Sequence, residues 1–230
     1  MAKRLGLSDV EIVEIPWEEP VITRDLPQVP EQVYQERVAQ LRELMEENGF
    51  THVIVYGDRE HFANTRFLTG YDPRFEESLV IVGKEGKPLL LVGLEGLYYA
   101  GIAHGVDVEL YREFSLQGQP RKGRSLRAIL DDCNVGPNSK VGIVGTKYVE
   151  TDEFADAHIV SDIPYYLVDA LLRICGRDNV VDVTRWFTDS SRGLRIPLTV
   201  DEIARSEMLN QLVYSGMKEA IKALEPGVSE

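Results

Sequence analysis

His61-Phe62-Ala63-Asn64-Thr65-Arg66-Phe67-Leu68-Thr69-Gly70-Tyr71-Asp72-Pro73-Arg74-Phe75 is the stretch on which the reading of this chain turns. Phe62, Arg66 and Phe67 fall about one turn apart, so the segment begins as a short helix. It breaks at Gly70, whose position after a helical turn predicts a left-handed residue, and Pro73 keeps the chain from re-entering a regular helix. The loop beyond Gly70 carries Tyr71, Asp72, Arg74 and Phe75 and is conformationally restricted. Rings bury area at little entropic cost and Arg forks bidentately onto carboxylates, so such a loop suits gripping a peptide or a carboxylate. The competing reading makes Phe67, Leu68 and Phe75 core residues and pairs Arg74 with Glu76 or Glu77 at the surface.

Upstream of this stretch, Val33, Tyr34, Arg37, Val38, Leu41, Leu44 and Met45 form the stripe of a helix that Pro30 opens and Gly49 stops. Thr51 to Tyr56 is a β-branched run that reads as a buried strand. Downstream, 78–83 and 88–92 flank Lys84-Glu85-Gly86-Lys87 as a hairpin, which makes two neighbouring strands antiparallel. Leu94, Leu97, Tyr98, Gly101 and Ile102 follow at helical spacing, then the strand Val106 to Tyr111. Helix 125–133, strand 140–145, helix 163–175 and strand 180–183 alternate after it, so the fold class is α/β, a mixed sheet flanked by helices. Thr184 to Leu194 reads as helical, Pro197 interrupts, and Thr199 caps a long helix whose stripe includes Ile203, Met208, Leu212, Met217, Ile221 and Leu224. With no later element for that stripe to cover, this helix reads as the first element of a further domain. Residues 1–29, with Pro16, Pro20 and Pro27 among glutamates, read as an extended arm. Trp17 in that arm either packs back on the domain or docks on a second copy.

A chain of 230 residues with 43% hydrophobic content supports one substantial core or two small ones. A formal charge of −13 argues against nucleic acid or an anionic membrane surface as the main partner. Cys133 and Cys175 stand in no CxxC spacing, which excludes a disulfide framework and suits a cytoplasmic location. There is no signal-like h-region at the start and no run approaching roughly 18 apolar residues.

His52, His61, His104 and His158 fall in no HExxH or HxH pattern. His52 opens a strand and reads as structural, leaving His61 and His104 as binding candidates. No nucleophile elbow, P-loop or dinucleotide fingerprint is present, and a flavodoxin-like nucleotide site rests only on strand–helix alternation and on Gly142 and Gly145. The carboxylate pairs Glu76/Glu77 and Asp131/Asp132 read as solvated faces. From the residues alone the chain is a binding or assembly domain with no catalytic residues and no metal site.

The helix Tyr34-x-x-Arg37-Val38-x-x-Leu41-Arg42-x-Leu44-Met45, the strand after it, Asn64-Thr65-Arg66-Phe67-Leu68-Thr69-Gly70-Tyr71, and the hairpin with its Gly86-Lys87-Pro88 turn resemble the N-terminal domain of creatinase/prolidase-type (pita-bread) metallopeptidases. That group includes Xaa-Pro aminopeptidases and prolidases. The resemblance covers about residues 30–183. Leu194-Arg195, Asp201-Glu202-Ile203 and Glu225-Pro226-Gly227-Val228-Ser229-Glu230 look like the opening of the family's catalytic domain. The chain departs from the family at Pro197, where a Lys is usual, and in its longer extension before residue 30.

The resemblance implies three parts: an arm over 1–29, a creatinase N-terminal (ribonuclease H-like) α/β domain over 30–183, and a linker with the first catalytic-domain helix over 184–230. It implies no cofactor in this chain and two divalent metal ions in a catalytic domain beyond it, held there by two Asp, one His and two Glu. The expected partners are that catalytic domain, a second copy in a homodimer, and a peptide substrate. Tyr71, Arg74 and Phe75 then become rim contacts for the substrate's remote end, with His61 beside them. The parent's substrate is left open among X-Pro peptides, dipeptides and creatine-like molecules. The alternative is a free-standing peptide- or protein-binding module on the same fold.

Overall fold

Alternation within each apolar run decides which helices cover which side of the sheet. The computed structural model describes residues 13, 16–21, 25–120, 122–150, 152–154, 159–225, 227 and 229. Residues 30–198 form one compact unit, and 1–29 with 199–230 form another.

The larger unit is built on β1 (His52–Gly57), β2 (Ser78–Gly83), β3 (Leu89–Val92), β4 (Asp107–Leu110), β5 (Val141–Val144) and β6 (Val180–Asp182). These make one six-stranded sheet in the order β4-β3-β2-β1-β5-β6. β1, β2 and β3 are antiparallel neighbours, whereas β4 runs parallel to β3, and β5 parallel to both β1 and β6. Ile54 stands opposite Ile81 on one side and Ile143 on the other, which fixes the register of the central strands.

Ile54, Tyr56, Leu79, Ile81, Leu91, Val141 and Ile143 point to one face, where α4 (Leu126–Asp132) and α5 (Tyr165–Cys175) add Ile129, Leu130, Leu167 and Leu171. Val53, Val55, Val80, Val82, Leu90, Val92 and Val144 point to the other, against α1 (Glu31–Glu47) and α2 (Ala63–Thr69) through Leu41, Met45, Phe67 and Leu68. A residue slip in any central strand would exchange these two sets, so both cores specify the same register. Gly142 belongs to the second face: a Cβ there would lie 2.8 Å from Val183 and 3.2 Å from Val53. At Gly145 a Cβ would collide with the Asp162 carboxylate, so both glycines answer to packing and not to a phosphate.

The mixed α/β sheet flanked by helices is as the sequence predicts, as are most element positions. Pro30 is the extended residue before α1, and Ser125 caps α4 by accepting a bond from Ala128 N at 3.2 Å. Two readings need correction. The helix expected over 184–194 is a single turn, α6 (Arg185–Thr188). It stops because the Asp189 carboxylate accepts from the Ser191 and Arg192 amides at 2.9 and 3.0 Å and turns the chain back on itself. The helix expected at 94–103 is α3 (Leu94–Tyr99) followed by a 3-10 turn at 100–102; it buries only Ala100, and Tyr98 is 87% exposed.

In the smaller unit, α7 (Val200–Lys222) begins with a capping box: Glu202 N donates to Thr199 Oγ1 at 3.3 Å, and Thr199 N to Glu202 Oε2 at 2.9 Å. The arm residues 16–21 have no regular structure. Tyr214 Oη donates to the Glu18 carbonyl at 2.8 Å, Lys218 Nζ reaches Glu18 and Glu19, and the same ammonium lies 5.8 Å from the Trp17 ring. Trp17 therefore sits on α7 of its own unit, half-exposed. Ile203, Leu212, Met217 and Ile221 of α7 are exposed. Val10, Ile12 and Ile15 of the arm lie outside the described residues.

Candidate functional site: an aromatic cleft beside the Gly70 loop

Asn64 anchors the stretch over residues 61–75. Its side chain is buried at the start of α2, where Nδ2 donates to the Gly145 carbonyl at 2.7 Å and Oδ1 accepts from Arg195 Nη1 at 3.0 Å. One amide thus ties α2 to the end of β5 and to the segment after α6. At the other end of α2, Thr69 Oγ1 donates to the Thr65 carbonyl at 2.8 Å and accepts from Tyr71 N at 3.0 Å. Gly70 takes the left-handed conformation with φ 76°. A Cβ there would crowd His104 at 3.0 Å and Tyr34 at 3.2 Å, so glycine is needed both for its φ and for space. Tyr34 in turn stacks flat on His104 at 4.8 Å. On the other side of this assembly the buried Arg37 guanidinium lies 4.3 Å from the Phe67 ring and donates to the Phe67 carbonyl at 3.0 Å.

Held in this way, the loop presents its side chains unequally. Tyr71 is buried, its ring 5.9 Å from that of Tyr99, and burial beside Glu76 pushes its phenol pKa up. Gly96 of α3 makes room for it, since a Cβ at that position would stand 2.5 Å from Tyr71 Oη. Arg74 and Phe75 are exposed. Tyr71, Arg74 and Phe75 line one cleft of about 450 Å³ with Glu95, Tyr98 and Tyr99 from α3. The tyrosine is its floor and the other rings its walls. Such a cleft offers ring faces to an apolar or proline-like side chain and one guanidinium to a carboxylate.

His61 lies elsewhere. Its Nδ1 is 3.1 Å from Asp58 Oδ1, in a wider groove of about 750 Å³ that also includes Glu77, Glu113 and Tyr166, and only Phe75 belongs to both. His52 is buried, with Nε2 2.9 Å from the Cys133 carbonyl, and is structural as its strand position implies.

The acidic pair beside the loop does not have the solvated role expected of it, and Arg74 does not pair with it. Glu76 is 4% exposed, its Oε2 accepting from Gly96 N at 2.8 Å and Oε1 from Leu116 N at 3.3 Å. It fastens α3 to the loop and thereby sets the cleft's width. Glu77 accepts from Tyr56 Oη at 3.0 Å, and burial, with that carboxylate alongside, raises the Tyr56 pKa. Residues 131–132 do form a solvated face, with Arg127 pairing Asp131 at 2.9 Å. The sequence reading missed Glu95, Tyr98 and Tyr99. Two adjacent tyrosines in a helix too short to bury both were the available signal.

Among the described residues no group of three or more His, Cys, Asp or Glu side chains is arranged to hold a metal ion. None of the described helices is long and apolar enough to cross a membrane.

The model of the creatinase/prolidase N-terminal domain matches residues 37–188. The chain belongs to that family. No curated protein sequence matches it. Among solved structures it is similar to the prolidase from Pyrococcus horikoshii OT3, at 17% identity and TM-score 0.55 over 85% of this chain and 45% of that one. The prolidase from Pyrococcus furiosus is similar at 16% identity and TM-score 0.55, over 85% and 48% of the two chains. An Xaa-Pro dipeptidase from Bacillus anthracis gives 14% identity and TM-score 0.55, over 86% and 45%. These likenesses are of fold, and the chain spans about half the length of each of these relatives.

Proposed function

We propose that this chain is the non-catalytic N-terminal part of an Xaa-Pro aminopeptidase/prolidase-like metallopeptidase, supporting dimerisation and shaping the substrate pocket. The observation that carries the reading is the family match over residues 37–188, joined to a cleft that family membership alone does not require. The residues of this domain do the binding part of the work. Phe75, Tyr98 and Tyr99 receive the apolar side of a peptide, Arg74 takes a carboxylate at its remote end, and His61 guards the neighbouring groove. The hydrolytic step belongs to a catalytic domain carrying two divalent metal ions, for which the described residues supply no donor set. A cytoplasmic homodimer is the setting in which such a rim would serve a partner's pocket.

Two measurements test this. The coding sequence beyond Glu230 should continue into a segment with two Asp, one His and two Glu as metal ligands; a stop codon there would leave only the free-standing binding module. Titrating the chain with an Xaa-Pro dipeptide should give saturable binding that Arg74→Ala and Phe75→Ala each weaken about tenfold, the loss of one charge-assisted bond or one ring contact. Unchanged binding in both variants would remove the cleft from the proposal.

A further inference from the structure

Away from the aromatic cleft, a smaller recess of about 240 Å³ lies between α1, the β2–β3 turn and the bend at His104–Gly105. Glu31, Tyr34, Gln35, Arg42, Lys87 and His104 are among the residues that line it. We infer that this recess is a binding site for a small phosphate anion, held by Arg42, Lys87 and His104. The inference does not depend on the peptidase reading.

Arg42 and His104 are fixed, Lys87 is exposed, and none of the three is satisfied by a carboxylate. Arg42 Nε donates to the Gly83 carbonyl at 2.9 Å and Nη2 to the Gly86 carbonyl, so its guanidinium is immobilised by the hairpin turn. Neutral carbonyls take those donors, and none of Arg42, Lys87 and His104 has an ion-pair partner among the described residues. Burial lowers the Arg42 pKa, which marks a cation partly stripped of water; Glu85, the carboxylate that acts against this shift, is exposed. His104 is placed by its backbone, whose N–H donates to the Thr69 carbonyl at 2.7 Å, and by its stack on Tyr34. Its ring nitrogens make no hydrogen bond to a described residue, so an N–H is free to donate. Glu31, the acid of the recess, accepts from Gln35 Nε2 at 3.2 Å.

Three basic side chains gathered in one recess, on a chain of net charge −13, are not accounted for by internal pairing. A multivalent oxyanion would satisfy all three through charge-assisted bonds, whereas a cation would be repelled. The volume lies below the roughly 300–1,000 Å³ of sites for drug-sized ligands, which suits inorganic phosphate or a small phosphomonoester and excludes a dinucleotide.

The test is an NMR titration of the full chain with inorganic phosphate at constant ionic strength, following the His104 ring and the Gly105 amide, with sodium chloride alone as control. Saturable shifts confined to the recess are expected. Lys87→Gln, at an exposed position, should fold normally and weaken binding about tenfold. A parallel arm measures co-sedimentation with vesicles containing phosphatidic acid, where no Lys87-dependent binding is expected. Shifts that rise linearly with salt, that persist unchanged in Lys87→Gln, or that are absent while the vesicles bind would each overturn the inference.

Discussion

Replacing Asn64 by Ala removes both halves of the bridge between α2, β5 and Arg195. The buried Gly145 carbonyl loses a donor at 2.7 Å, and the guanidinium of Arg195, an exposed residue whose pKa partial desolvation lowers, loses an acceptor at 3.0 Å. The buried Gly145 carbonyl left without its donor costs about 1–3 kcal/mol, whereas water can replace the acceptor at the exposed Arg195, so Asn64→Ala should destabilise by about 2 kcal/mol. For a chain of this length, 1 kcal/mol moves Tm by about 2–4 °C, so the variant should melt about 4–8 °C lower. Thermal and urea unfolding followed by far-ultraviolet circular dichroism measures both. Asn64→Asp is the informative companion. It keeps an acceptor for Arg195 but sets a carboxylate oxygen against the Gly145 carbonyl, so it should not rescue stability. In a double-mutant cycle, Asn64→Ala and Arg195→Ala should couple by at least about 0.5 kcal/mol. A loss in Asn64→Ala below about 0.5 kcal/mol, typical of a surface change, or strict additivity with Arg195→Ala, would refute the bridge.

Two further outcomes rest on buried polar groups. Glu76→Gln keeps size but turns an NH2 donor toward one of the two amides that the carboxylate serves, and should cost about 1–3 kcal/mol. Hydrogen exchange should then speed at Gly96 and Leu116 before it does in the central strands; uniform exchange would show that Glu76 does not fasten α3. Burial holds the His52 pKa below its ordinary value of 6.5, with Lys84 adding to the shift and the Cys133 carbonyl opposing it. The unfolded chain therefore binds more protons than the folded one as pH falls through 6.5, and stability is lost in that direction. The slope from this one proton is at most about 1.4 kcal/mol per pH unit. His52→Gln should flatten it in urea titrations between neutral and mildly acidic pH, and an unchanged slope would place its origin elsewhere.

The elements are largely legible in the sequence, because each announces itself locally. The α1 stripe, the β-branched run of β1, the Gly86 turn and the capping Ser125 and Thr199 need no distant partner to be recognised. Where the reading failed, a distant partner intervened. Residues 184–194 have helical spacing, but a side-chain carboxylate outcompetes the next turn at Asp189. Glu76 reads as a solvated acid because nothing in its neighbourhood reveals that amides 20 and 40 residues away converge on it.

The candidate site divides along the same line. Its loop was visible as Gly70, Tyr71, Arg74 and Phe75, since backbone restriction and ring chemistry are written in residue type. That Tyr71 forms a floor, that Tyr98 and Tyr99 supply the facing wall, and that His61 opens on another groove follow from packing. Sequence by itself determined the periodicities, the turns and the signature that names the family, because these depend on residues a few positions apart. Only the folded chain decided which polar groups are buried together and which rings share a cleft, because those neighbours are separated along the backbone and meet only once the sheet has formed.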